Sequence, residues 1–518
     1  MSAELKICIE EAYIMDDMER ETTDRTSGPM AAAQETTWEE ELNPFIRRIC
    51  EQYGYFLLMG LIFGLLFAAC FYRVNGGIMR PVFVIVLYGM TVCSMRRLDV
   101  KVKRGSAVYM AGSLLLGLCS LFTASWFFDF FNLIGILILY SVFVLHQRCD
   151  IREWGLAEHF SRICMLGIYA CGGICYPFSD AGRWARERRK HTGRRLTEYL
   201  IGTLVGIPIL LVIVWLLGQA DMVFGRLVDR INIFKRWDMD AVGVLFFTVI
   251  GFFAYFGYLQ GSLKHDMNAQ VKEVKKRSQS LIIVPCVALT AVYAVFCVIQ
   301  VLYLFSGGLS LPEGYTYAEY ARTGYMQLLL VTAFNFVWVL YCLKHFEESA
   351  HLKTVLTLCC GCTFIMIASA AYRMILYIHA YRLTFLRVLV LWSLIVLTVL
   401  LAGGVVLIYR RRFPVFRFGL LVVLTAYLLL GFTKPDFWIA RYNVSHAEVI
   451  EWDDMHFLTN LSLDAAPVAA LLEKERMTLD AAQEQERYKR FITDNEERFG
   501  GWRNFNISNY LALKACGQ

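Results

Sequence analysis

The chain has 518 residues, 57% of them hydrophobic and 19% charged, with a mean hydropathy of +0.48. That balance excludes an ordinary soluble globular domain, and the net charge of +6 reads as loop charge of a membrane protein rather than as a footprint for nucleic acid. The sequence predicts an all-α, polytopic integral membrane protein.

Residues 1–52 are acidic (Glu10, Glu11, Asp16, Asp17, Glu39, Glu40, Glu41) and lack the basic and apolar regions of a secretory signal, so a disordered, cytoplasmic tail is expected. Residues 53–147 hold four predicted spans, Tyr55–Tyr72, Pro81–Met95, Ala107–Ala124 and Phe127–His146, each near the length that a bilayer requires. The second is short, as is the last of the chain, so Arg80 and Arg417 are expected to snorkel toward the head groups. Gly60 and Gly64 have the spacing that lets helices approach closely, as do Gly202 and Gly206.

Residues 148–199 form a basic region. Within it Phe160–Pro177 is apolar enough to enter a bilayer, but a full crossing there would put the run R-W-A-R-E-R-R-K-H-T-G-R-R outside, so a re-entrant or interfacial helix is predicted. Residues 200–432 are the predicted core, with spans at Leu200–Gly218, Val242–Tyr258, Leu281–Phe305, Met326–Cys342, Val355–Ala371, Val388–Tyr409 and Phe418–Phe432. The total is about eleven. Basic loops (Arg96 to Arg104, Arg183 to Arg195, Lys272 to Arg277, Arg410 to Arg412) then fall on one side, which predicts the N-terminus inside. The tail, residues 433–518, reads as two or three amphipathic helices and is predicted outside, as a docking element.

Most of the sixteen cysteines lie in apolar runs without paired ligand spacing, so they read as packing residues. No metal site or cofactor is predicted. No hydrolase, nucleotide or dinucleotide motif occurs, which leaves a soluble-type enzyme little footing.

Ionisable groups at membrane depth are costly and therefore carry the functional expectations. In A-A-Y-R-M-I-L-Y-I-H-A-Y-R-L-T-F-L-R, Arg373, Tyr377 and Tyr381 share a helical face, with Arg387 nearby, a set suited to an anionic head group or a carboxylate. In G-Y-T-Y-A-E-Y-A-R-T-G-Y-M-Q-L-L-L, Glu319 and Arg322 stand one turn apart in an aromatic collar, and Asn335 lies deeper in the same span. Asp221 falls at the outer end of the fifth predicted span. Interface anchoring is the alternative for the tyrosines and arginines, and a solvated loop position for Asp221.

Three functions stay open. The first is binding or transport of a small or lipidic anionic ligand through an outer vestibule, without enzymatic chemistry, with membrane lipids as the other partner. The second is a signalling or scaffold protein whose tail recruits a protein partner. The third is an intramembrane transferase acting on lipid-linked substrates, with Asp221 or Glu319 as base.

The stretches from Gly314 and from Tyr372, then P-D-F-W-I-A-R-Y-N, S-L-D-A-A-P-V and W-R-N-F-N, occur in the order that resembles a family of bacterial polytopic membrane proteins, domain of unknown function 4173, related to 4153. The likeness runs from about Leu200 to Asn506. It implies an all-helical fold in the bacterial cytoplasmic membrane and transfers no catalytic residue.

Overall fold

The computed structural model describes residues 44–74, 76–149, 151, 154–192, 239–264, 276–305, 317–410, 412–496, 499 and 501–517, with isolated positions between 206 and 224. The expected span Leu200–Gly218, apart from a few such positions, and Gly202 lie outside them. So do residues 1–43 of the N-terminal tail. The remaining eight of its helical residues are not disordered: Pro44–Glu51 forms helix α1, because Ile49 and Cys50 bury against the bundle and Arg48 pairs with Asp99 at 2.6 Å.

In chain order follow α2 (Tyr53–Phe71), α3 (Met79–Arg97), α4 (Ala107–Phe122), α5 (Trp126–Arg148), α6 (Leu156–Gly172) and α7 (Tyr176–Thr192). Then come α8 (Met239–Lys264), α9 (Ser280–Phe305), α10 (Tyr317–His345), α11 (Ala350–Tyr381), α12 (Phe385–Tyr409) and α13 (Val415–Phe432). The tail supplies α14 (Pro435–Ser445), α15 (Trp452–Thr459), α16 (Ala466–Ala470), α17 (Leu479–Asp494) and α18 (Ile507–Cys516). Among the described residues no strand occurs, and eleven helices are long and apolar enough to cross a membrane. The chain is an all-α multi-pass membrane protein.

Ten of the eleven run between two ends of a bundle. At the first end Arg97 bonds Gln52 at 2.6 Å, Gln147 bonds the Lys103 amide at 2.8 Å, and Arg148 bonds the Ser262 carbonyl at 2.9 Å. At the second, Tyr72 bonds Asp240 at 3.0 Å, and Phe127 meets Phe385. The chain is thus at the first end at Trp184, against Tyr53, and at the second at Asp240.

The eleventh, α6 with the 3-10 turn Gly173–Cys175 and the start of α7, finds its partners toward the first end. Glu158 pairs with Lys344 in the last turn of α10, and His159 stacks on Phe416 at the start of α13. Gly173 meets Gly257 near the end of α8, where a Cβ would stand 2.4 Å from the Gly257 Cα, and the Pro177 carbonyl accepts from Tyr53 at 3.0 Å. Every one of these partners sits at the same end. The outer face is apolar, with Phe160 70% and Ile168 67% exposed.

Two cores hold the bundle. One joins α2 to α5, α6 and α8, and the other joins α9 to α12. Gly60 and Gly64 act as their spacing predicted: side chains there would stand 2.6 Å from Phe256 and 2.4 Å from the Thr248 carbonyl oxygen, so α2 and α8 touch only because both are glycine.

Arg80 departs from expectation. It does not snorkel: it is 6% exposed, holds Asp129 through two bonds of 2.9 and 2.7 Å, and lies 4.6 Å over the Phe71 ring. A bidentate carboxylate from another helix satisfies the guanidinium better than a route to the head groups.

The tail is a folded cap rather than loose amphipathic helices. Ala440, Ala465, Ala466, Ala469, Ala481 and Ala512, all fully buried, let its short helices pack closely around Ile450, Met455 and Ile492. It sits on the second end through polar bonds. Arg503 donates to the carbonyls of Ala69 and Tyr72, at 2.6 and 3.1 Å, where α2 ends. Asn506 Nδ2 donates to those of Ser120 and Thr123, both at 2.8 Å, Ser508 to that of Phe122 at 2.7 Å, and Asp464 accepts from Thr123 Oγ1 and the Ala124 amide. These are the carbonyls that a helix end leaves without an internal partner.

Replacing Asn506 by alanine orphans two buried carbonyls and is expected to cost about 2–4 kcal/mol, read as a lowered melting temperature in detergent and faster proteolytic release of the cap. Asp436 tests the cap by pH. Burial holds its carboxyl above the ordinary carboxylate range, with bonds from Ser462 opposing and the Asp464 charge adding. The folded state therefore keeps that proton more tightly, so its contribution is full below the ordinary carboxylate value and is lost as pH rises through the raised one. Asp436→Asn is expected to flatten this loss, seen in melting temperature against pH from about 4 upward.

Candidate functional site

Three helices, α9, α10 and α11, form a seam in which polar side chains meet at two depths. The inner layer is centred on Asn335 of α10, which is 1% exposed. Its Oδ1 accepts from the Tyr293 hydroxyl of α9 at 2.8 Å, and its Nδ2 donates to Thr363 of α11 at 2.9 Å. A buried amide between two hydroxyls is satisfied on both sides, so it ties the three helices in one register.

The outer layer lies about 15 Å further along α11, ten residues at the helical rise, toward the second end. Arg373, 8% exposed, donates Nη2 to Gln300 Oε1 at 2.7 Å, and Ser369 one turn earlier donates to the same oxygen at 2.7 Å. A side chain at Gly324 of α10 would stand 2.2 Å from Arg373 Nη1, so a glycine there is what admits the guanidinium against the α10 backbone. Among the groups around this buried cation are the Gln300 amide and the α10 backbone.

Beyond it the α11–α12 turn is locked. Arg387 lies 4.1 Å over the Tyr377 ring and donates to the carbonyls of Tyr381, at 2.7 Å, and Arg382, which caps the end of α11. Tyr377 and Tyr381 have ring centroids 5.3 Å apart. Arg382, at φ 66°, pairs with Asp454 of the cap, and Leu383 exchanges two 2.9 Å backbone bonds with the Asn443 side chain. A cavity of about 120 Å³ lies between this turn and Asp454 and Phe457.

The expected residues thus divide. Arg373, Tyr377, Tyr381 and Arg387 follow one another along the second-end half of the seam, but only Arg373 turns inward, while Arg387 serves the turn. Asn335 is in the seam at the inner layer. Glu319 and Arg322 lie on the first turns of α10, about one turn before Gly324, with side chains outside the described residues. Asp221 is exposed and accepts from the Phe224 amide at 2.7 Å. Gln300, Ser369, Gly324, Tyr293 and Thr363 were not singled out from sequence. The signal available was a lone amide in V-F-C-V-I-Q-V-L-Y. Among the described residues no cluster of ligands could hold a metal ion.

The chain matches the model of the family described as Domain of unknown function (DUF4153) over residues 110–472, well over half its length. It belongs to this family. The match starts in α4, earlier than the likeness read from motifs, and it takes in both polar layers and the first part of the cap. No curated protein and no solved structure matches the chain.

The fit of Arg373 against α10 can be checked with alanine. Gly324→Ala is expected to displace the guanidinium and cost about 1–3 kcal/mol. Gly361→Ala on α11, where a side chain meets nothing within 4 Å, should leave stability equal or slightly raised. Thermal unfolding of both variants makes the comparison.

Proposed function

We propose that this DUF4153 protein binds or transports a small or lipidic anion, with Arg373 as the charge that receives it. The observation that carries the reading is the burial of this cation at membrane depth, with Nη2 on Gln300 and Nη1 against Gly324. An intramembrane ionisable group is expensive and is a functional site by default. Tyr377 and Tyr381 would line the approach, with Glu319, Arg322 and Asn335 bordering the path on α10. No catalytic role is proposed for the seam.

The orientation proposed is basic end inside and cap outside, in the bacterial cytoplasmic membrane, since Arg96, Arg97, Lys101, Lys103, Arg104 and Arg410 gather at the first end. Kinship with family 4173 rests on the motifs alone.

A scaffold reading has its own support. The family-like motifs W-R-N-F-N and S-L-D-A-A-P-V spend their polar groups on docking the cap, which leaves the cap's outward face for a protein partner.

Thermal unfolding of the purified protein in mild detergent, against a panel of anions and anionic lipids, separates the first two. A ligand at its hundredfold dissociation constant adds about 2.7 kcal/mol of stability. The expected outcome is a rise in wild type that Arg373→Ala loses while still folding. A folded wild type that responds to no compound would overturn the ligand reading in favour of the scaffold.

A further inference from the structure

A second site, independent of the seam, lies where the cap meets the end of α13. Lys434 stands just past Phe432, at φ 52°, and donates Nζ to Ser508 of α18 at 2.9 Å. Beside it opens a cavity of about 340 Å³, within the range of small-molecule sites. Its walls are apolar, from Phe437, Leu463, Pro467, Leu471 and Leu511, and its charged groups are Lys434, Lys514 and Asp464. Leu511 and Lys514 are three residues apart on α18 and so share one face.

Two lysines against one carboxylate leave the lining with one positive charge in excess. Asp464 accepts from Thr123 Oγ1 at 2.5 Å and from the Ala124 amide at 3.0 Å, which ties it to the bundle. An ammonium carries three donors, and the single side-chain bond of Lys434 uses one. Burial pulls Lys434 below the ordinary lysine range, with Asp464 opposing. The setting is that of a membrane interface: Phe432, Trp438, Leu471 and Leu511 are exposed at this level, beside the last apolar turn of α13. Cationic donors above an apolar wall at such a level match a molecule with a phosphate at one end and hydrocarbon at the other.

We propose that the cavity between α14, α16 and α18 binds a phosphate-bearing amphiphile, its phosphate on Lys434 and Lys514 and its chain along Leu463, Pro467, Leu471 and Leu511. An anionic phospholipid is the source to which the proposal commits. Docked there, the lipid would join the cap to the bilayer at the edge of the bundle.

The test uses the full-length protein in a neutral detergent, with melting temperature followed against three additives: a short-chain phosphatidylglycerol, a diacylglycerol of the same chains, and inorganic phosphate. The expected result is a saturable rise with phosphatidylglycerol alone. Lys514→Gln, at an exposed position, should keep the basal melting temperature and need at least tenfold more lipid for half-saturation. Leu511→Gln should weaken the response similarly, and Arg373→Ala should leave it unchanged. Equal half-saturation in wild type, Lys514→Gln and Leu511→Gln overturns the proposal, as does an equal rise with diacylglycerol or with phosphate alone. A rise lost in Arg373→Ala but kept in Lys514→Gln assigns the lipid to the seam and also overturns it.

Discussion

A helix that leaves a bilayer ends in carbonyl groups with no partner in the helix, and at the interface these must find donors from water, lipid or protein. Here α2 and α4 find them in the cap. Arg503, Asn506 and Ser508 donate to carbonyls at both helix ends, and Asp464 receives the first groups of the α4–α5 link. The cap and the bundle are therefore one structure energetically: the cap's polar groups are satisfied by the bundle, and the bundle's ends by the cap. The Arg382–Asp454 pair and the Asn443–Leu383 bonds repeat the device at the α11–α12 turn.

Below that closure, the bundle settles its buried polar groups across helices. Arg80 and Asp129 join α3 to α5, Tyr88 bonds Ser113 between α3 and α4, and Asn335 joins three helices at once. Gln300 of α9 likewise holds Arg373 and Ser369 of α11.

The two ends of the molecule differ in chemistry. The first is basic and is where α6, with its exposed apolar face, finds its partners. The second is closed by an alanine-rich domain. Its short side chains allow helices of ten or so residues to pack closely enough to be stable only in company.

The sequence by itself determined what depends on local composition. Uncharged runs of bilayer length mark the spans. Gly60 and Gly64 announced a close approach because small side chains have that consequence wherever helices meet. What only the tertiary structure decided is partnership. Arg80 looked free to snorkel because Asp129 lies 49 residues away in sequence, and Gln300 had no distinction until α9 set it against Arg373. The motifs W-R-N-F-N and S-L-D-A-A-P-V were visible as motifs, yet that they end two distant helices could not be read from them. A hydrogen bond between elements is fixed by where helices pack, and packing is a property of the whole chain.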